Sequence, residues 1–439
     1  MQTLDQLRRG ELAGATRLRL SCGLREFPRE IFTLADTLEI LDLSGNALTS
    51  LPDDLPRLHK LRIVFCSDNP FETLPAVLGQ CPNLSMIGFK ANRIRHVPPQ
   101  SLPLRLRWLI LTDNCIETLP DELGHCTHLQ KLMLAGNRLR QLPSTLANCR
   151  QLELLRIAAN NLDELPDWLL HMPRLAWLAF AGNPFAISPE LSCSAAAGIP
   201  DIRWSQLTIQ ERLGEGASGV IYRAEDRSPG SPRAVAVKLF KGQVTSDGLP
   251  DCEMAACIAA GEHANLIPVL GKLQAHPEKT HGLILGLIDP TFRNLAGPPS
   301  LDSCTRDVYP PNTRLSASTA TSIARGIASA AWQLHQQGIM HGDLYAHNIL
   351  HCGQGRALLG DFGAASIFPL DQKILADRLQ RIEIRAFGCL LEELIAHCDP
   401  DSPPGVQRDR LSALKAACLQ TNVLGRPNFE TVTQSLARQ

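Results

Sequence analysis

Lys238, Asp343, Asn348 and Asp361 follow one another behind a glycine-rich turn, and that order restricts what they can do together. The turn is Leu213-Gly-Glu-Gly-Ala-Ser-Gly-Val220, and Ala234-Val-Ala-Val-Lys238 places its lysine nineteen residues after Gly219. His341-Gly-Asp-Leu-Tyr-Ala-His-Asn348 and Asp361-Phe-Gly363 come later. Glycines let backbone N–H groups approach phosphate oxygens closely, and a lysine supplies a point charge for the same oxygens. Two carboxylates and an amide oxygen are hard donors suited to divalent cations, and one carboxylate can orient a hydroxyl proton. A glycine-rich turn alone is often only a flexible hairpin. Four parts in this order make a machine for gripping a nucleoside triphosphate and moving its terminal phosphoryl group.

Each part needs an element to hold it. Gly214, Gly216 and Gly219 sit between two expected strands, and Lys238 ends an alternating third strand. An inward lysine calls for an acid on the next helix. Met254, Cys257 and Ile258 give that segment an apolar face, which selects Glu253 over Glu262, a residue close to the following turn. Gly282-Leu-Ile-Leu-Gly-Leu-Ile288 reads as a strand. Ile323, Ile327, Ala331 and Leu334 form a helical stripe that stops at Gly338.

These motifs resemble the protein kinase family from about Trp204 to the end, in the style of its tyrosine-kinase-like branch. The resemblance implies ATP with Mg²⁺ or Mn²⁺, and a catalytic set of Asp343, Lys238 and Glu253. Leu213, Gly214, Gly216, Gly219, Val220, Ala236, Lys238, Leu285 and Leu287 would line the ATP site, with Leu285 as gatekeeper. Asn348 and Asp361 would hold the metal, and His341 would brace the loop. Ala386-Phe-Gly-Cys-Leu-Leu-Glu-Glu-Leu394 is similar to the family's central helix, and Gly425-Arg-Pro-Asn-Phe429 to its closing arginine motif. The acceptor expected from the resemblance is serine or threonine, with tyrosine left open by Tyr345-Ala-His347.

Three departures stand out. Gly342 replaces the arginine usual before the catalytic aspartate, the residue that pairs with an activation-loop phosphate. Only twenty-one residues separate Asp361 from Glu383, which is expected to replace the aspartate that starts the central helix, and no Ala-Pro-Glu lies between them. The proline-bearing stretch from Gly297 to Pro311 has no evident counterpart, and standing in for a helix beside the substrate cleft is one role for it. Aminoglycoside-type phosphotransferases also carry His-Gly-Asp with a later Asn and lack Ala-Pro-Glu, so a small-molecule kinase is the alternative. A nucleotide-binding scaffold is another.

The first half is periodic. Asn46, Asn69, Asn92, Asn114, Asn137, Asn160 and Asn183 recur at intervals of 22 or 23 residues, and Pro52, Pro75, Pro98, Pro120, Pro143 and Pro166 keep the same beat. Leu38-Glu-Ile-Leu-Asp-Leu-Ser-Gly-Asn46 resembles a leucine-rich repeat, with Cys22 standing for the asparagine of an irregular first unit. Alternating leucines would face a shared core, and the asparagines would satisfy backbone groups in the bends. The row Ile40, Ile63, Met86, Trp108, Lys131, Leu154 and Trp177 would face solvent on the concave side. Its apolar character suggests a protein ligand, with Ile40, Ile63, Trp108 and Trp177 as anchors, or else cover by the second domain.

The expected architecture is therefore an α/β leucine-rich-repeat solenoid over residues 1–191, about eight repeats of ~23 residues. A short linker (192–203) leads to an α+β bilobal protein-kinase-like domain over 204–439, with lobes dividing after 288. A net charge of -1 gives no basic surface for nucleic acid, and no apolar run suggests a membrane span. Fourteen scattered cysteines without Cys-x-x-Cys pairs read as reduced core thiols, and a cytoplasmic location is expected.

Overall fold

The computed structural model describes residues 2–187, 199–216, 218–228, 232–242, 244–245, 247–399 and 406–437. Contacts divide the chain into two compact units, Met1–Arg174 with Asn183–Phe185, and Leu175–Gly182 with Ala186–Gln439.

In the first unit, seven three-residue strands run parallel in chain order. They are β1 (Arg17–Arg19), β2 (Ile40–Asp42), β3 (Ile63–Phe65), β4 (Met86–Gly88), β5 (Trp108–Ile110), β6 (Lys131–Met133) and β7 (Leu154–Arg156). The middle residue of each, from Leu18 and Leu41 to Leu132 and Leu155, is fully buried, so period-two alternation feeds one core. Pro75, Pro98, Pro120 and Pro143 stand immediately before short 3-10 turns, where a fixed φ and a missing N–H suit the chain reversal.

The asparagines bind coil to coil. Asn137 donates from Nδ2 to the Leu111 and Leu134 carbonyls at 2.8 and 2.9 Å, and its Oδ1 accepts from the Ile116 N–H at 3.0 Å. Asn69, Asn114 and Asn160 repeat this pattern, each reaching back to the preceding unit. Cys22 does not join them. Its side chain is exposed, and its backbone N–H donates to Asn46 Oδ1, which supplies the bend itself.

The concave row differs from the expected open stripe. Ile63, Met86, Leu154 and Trp177 are only 5, 3, 3 and 1% exposed, so Trp177 is no open anchor, and Ile40, Trp108 and Lys131 are half-buried. The register stacks Ile40, Ile63, Met86, Trp108, Lys131 and Leu154 directly beside one another, about 4.8 Å apart, so neighbours cover each other's flanks. Lys131 Nζ adds a cation–π contact, 4.2 Å from the Trp108 ring centre. Cys81, Cys126 and Cys149 are buried packers, their thiols pushed up by burial to about 11, 11 and 12. No described cysteine is in a disulfide.

The second unit begins with β8 (Trp177–Ala179), a strand the sequence places with the repeats. Then come β9 (Asp201–Arg203), β10 (Leu207–Glu215), β11 (Gly219–Asp226), β12 (Arg233–Phe240), β13 (Val269–Gln274) and β14 (Gly282–Gly286), which form a sheet in the order β10-β11-β12-β14-β13-β9. Part of the expected linker is thus a strand, with Asp201 opposite Lys272 in parallel register; residues 192–198 of that linker lie outside the described residues. Strand β12 alternates between two cores. Val235 and Val237 pack with Ile202, Leu273 and Ile284, while Phe240 packs with Met254, Ile258 and Leu283 against the Pro250–Ala259 helix.

Helices dominate the remainder. Ala317–Gln336 starts on Ser316, whose hydroxyl accepts from the Thr319 N–H, buries Ile323, Ile327, Ala331 and Leu334, and stops before Gly338 at φ +71°. Short strands β15 (Arg293–Asn294), β16 (Ile339–Met340), β17 (Ile349–His351), β18 (Ala357–Leu359) and β19 (Ser366–Ile367) frame the motifs. The helix Lys373–Ala396 corrects one expectation: Glu383 lies in its middle, and only five residues join β19 to its first turn. Among the described residues no helix is long and apolar enough to cross a membrane.

Asn137→Ala leaves two buried carbonyls and one N–H without their partner. It should destabilise the first unit by about 3 kcal/mol, read as a lower denaturant midpoint for its transition in the full chain.

Candidate active site

The β10–β11 hairpin pairs Glu215 with Val220, and the Gly216 N–H donates to the Gly219 carbonyl at 2.9 Å. A Cβ at Gly214 or Gly216 would meet nothing within 4 Å, which leaves room for an approaching phosphate. Gly219 has a different constraint. A Cβ there would fall 2.4 Å from the Leu239 carbonyl oxygen, so close strand packing requires the glycine.

Lys238 and Ala236 share one face of β12, opposite Leu283 and Leu285 of β14. Leu285 therefore lies across from Ala236. Lys238 forms an ion pair with Glu253, which is buried on the Pro250–Ala259 helix; Glu262 is exposed beyond the helix end. Burial works against the Lys238 charge, but Glu253 and Asp361 outweigh it and hold the lysine above its usual range.

The loop bearing Asp343 hangs from a buried carboxylate. Glu383 Oε1 accepts from the Gly342 N–H at 2.7 Å, and Oε2 accepts from the His341 N–H at 3.2 Å and meets His335 Nε2 at 2.7 Å. Burial pushes the Glu383 carboxyl up, yet the hydrogen bond and charge of His335, then His341 and the Gly342 amide, hold it below the ordinary range. His341 fits its bracing role, with Nε2 3.0 Å from the Gly360 carbonyl and Nδ1 accepting from the Asp343 N–H at 3.3 Å. Asn348 Nδ2 donates to the Asp343 carbonyl and to Asp343 Oδ2, at 2.9 and 2.7 Å, which leaves its own oxygen for a cation.

Asp361 adopts φ +54°, a left-handed conformation that Asp tolerates better than most residues, and its Oδ1 accepts from the Gly363 N–H at 3.2 Å. Phe362 is buried, its ring centre 5.0 Å from that of His341. A Cβ at Gly363 would lie 3.2 Å from Asp361 Oδ1 and 3.8 Å from Glu253 Oε2, so Asp361 sits beside the Lys238–Glu253 pair and helps hold the lysine charged.

The stretch from Gly297 to Pro311 also contributes. Asp307 accepts from the His347 N–H at 2.9 Å, and its other oxygen is 2.7 Å from His347 Nδ1. Burial lowers the His347 pKa, but Asp307, then Asp343 and Asp361, raise it overall. Arg306 and Tyr309 tie the same stretch to Glu393 of the Lys373–Ala396 helix. No motif announces Asp307; the unusual histidine at 347 was the available hint. Arg426 is buried and donates to the Gln420 and Arg381 carbonyls at 2.9 and 3.0 Å.

Of the expected site residues, Lys238, Glu253 and Asp361 converge, Asp343 meets Asn348, and Ala236 faces Leu285. Leu213 is exposed on the β10 rim. Leu287 lines a cavity of about 630 Å³ with Leu266, Phe292 and Arg356, whose lining includes none of Lys238, Asp343 or Asp361.

Residues 207–387 match the family of protein tyrosine and serine/threonine kinases. The second unit carries a protein kinase domain. Residues 37–58, 82–139 and 127–185 match leucine-rich repeats, so the chain joins such repeats to that kinase domain. It is also similar to the angiopoietin-1 receptor of Danio rerio, 28% identical over 174 residues, which is 38% of this chain. The chain spans only 15% of that relative's length.

Glu383→Gln sets an amide against N–H donors and removes a buried charge from its partners, and should cost roughly 3–5 kcal/mol. A thermal melt of the full chain is the check. In the parent, a carboxyl held below its ordinary 4.5 stabilises the fold above that pH, and the contribution fades as pH falls through the lower, folded value.

Proposed function

We propose that the chain is an ATP-dependent protein kinase that transfers the γ-phosphoryl group to serine or threonine hydroxyls. The observation that carries this reading is the closed Lys238–Glu253 pair beside Asp361, together with Asn348 bonded to Asp343. Lys238, held charged, grips the α- and β-phosphates. Asp343 orients the acceptor hydroxyl and takes up its proton, with Asn348 fixing the carboxylate's rotamer. Asn348 and Asp361 offer the hard oxygen donors that suit Mg²⁺ or Mn²⁺. The metal, when bound, neutralises charge on the β- and γ-phosphates. Positioning and charge neutralisation supply most of the rate in this reaction class.

The repeats are the recruiting part in this reading, with Ile40 and Trp108 the anchors of the concave row that keep some exposure. That no described cysteine is in a disulfide fits a reducing, cytoplasmic compartment. One observation favours a second reading. With five residues between β19 and the Lys373–Ala396 helix, there is little chain to grip a peptide, which suits a small hydroxyl compound as acceptor.

Purified full chain with γ-labelled ATP and Mg²⁺ or Mn²⁺ should label protein, and Asp361→Asn should abolish that label. Lys238→Met should do the same in a chain that still folds, with a lowered melting temperature because the buried Glu253 loses its partner. Label found only on small hydroxyl compounds selects the second reading, and nucleotide binding without transfer selects a scaffold. Mass spectrometry of the active protein should find no rate-controlling phosphosite between Asp361 and Lys373, because Gly342 offers no cation to a phosphate there.

A further inference from the structure

Resting on the phosphotransfer reading, we propose that Trp177 is a positioning residue for the catalytic loop, clamping from the segment Leu175–Gly182 the peptide that carries Asp343. That segment belongs to the same compact unit as the loop. Trp177 Nε1 donates to the Leu344 carbonyl at 3.1 Å, and its ring stacks on Tyr345 with centres 4.1 Å apart and planes 6° from parallel. Both aromatic side chains are buried. The hydrogen bond and the stack thus hold the two residues that directly follow Asp343.

The same segment grips the short stub after Asp361-Phe-Gly363. Ser366 Oγ accepts from the Phe180 and Ala181 N–H groups at 2.9 and 3.1 Å. Gly342 completes the fit. Its φ is +72°, and a Cβ there would lie 2.7 Å from the Leu178 carbonyl oxygen and 2.5 Å from that of Ala364. No arginine can occupy that position while the segment is in place. Where a phosphate on a long loop would order an arginine and the loop around it, this chain has neither the arginine nor the length. A tryptophan clamp, present as soon as the chain folds, holds the loop instead.

The test compares steady-state phosphoryl transfer by the full chain with that of Trp177→Ala, Trp177→Phe, Ser366→Ala and the reference Asp361→Asn. Trp177→Ala should lower kcat about tenfold or more, since small misplacement of a catalytic group carries a large rate cost. KM for ATP should stay within about threefold, because Lys238 and Glu253 are untouched. Trp177→Phe keeps a ring against Tyr345 and should recover part of kcat, which a general packing defect would not give in step with unchanged KM. A kcat for folded Trp177→Ala equal to the parent overturns the proposal. Should Trp177→Ala melt below assay temperature, Ser366→Ala and Trp177→Phe decide: lowered kcat at constant KM supports the clamp, and parental kcat in both overturns it. A parent no more active than Asp361→Asn sinks the phosphotransfer reading and the clamp with it, whereas an active parent matched by its Trp177 variants sinks only the clamp.

Discussion

The buried carboxylate of Glu383 is the constraint on which the kinase unit turns. A charge enclosed by protein is tolerable only when donors surround it, and here the donors are the His341 and Gly342 backbone amides and the His335 ring. These come from the catalytic loop and from the Ala317–Gln336 helix, while the carboxylate sits on Lys373–Ala396. One side chain therefore fixes three segments at once. Asp343 follows the second of those amides directly, so its place is set before any substrate arrives. The His341 contacts to Gly360 and to the Asp343 amide extend the same frame to the residue preceding Asp361.

The shortened segment after Asp361 then has a physical logic. The chain leaves the left-handed turn at Asp361, forms the two-residue strand β19 against β16, and enters a helix within five residues. Entering the helix early gives Glu383 a rigid, fully hydrogen-bonded carrier, where a long loop would have to be ordered separately. Five residues stand where the kinase pattern has a long loop, and Gly342 stands where it has an arginine. The contacts that replace them are short and mostly buried: Asp307 on His347, Trp177 on Leu344 and Tyr345, Ser366 on Phe180 and Ala181.

Much of this was legible in the sequence wherever chemistry demands fixed spacing. Lys238, Asp343, Asn348 and Asp361 could be placed because phosphate and metal geometry leave few alternatives, and Glu253 because a helical apolar face chose it over Glu262. The repeat asparagines were legible because each must meet the same backbone groups one coil away. Other features were not, for reasons that are equally physical. The first turns of the Lys373–Ala396 helix occupy sequence where a kinase usually has a loop, so family spacing overrode the run Lys373-Ile-Leu-Ala-Asp-Arg-Leu-Gln380, which has good helix formers. Asp307 acts across forty residues on His347, a separation no local pattern encodes. The burial of Ile63, Met86 and Leu154 depends on lateral packing between coils, and one strand's alternation cannot report that.

Gly342 shows how a departure from a family pattern is best understood. Taken alone it reads as a loss, a missing arginine and so a missing switch. In the folded chain it is required three times over, by its positive φ, by the Leu178 carbonyl and by the Ala364 carbonyl. The same position must also present its N–H to Glu383. A side chain there would force the backbone out of the left-handed region or push two main-chain segments apart, and either movement would pull the amide from the buried carboxylate. The glycine and the clamp are thus one arrangement: the residue that surrenders phosphate control is the residue that lets the Leu175–Gly182 segment approach the catalytic loop.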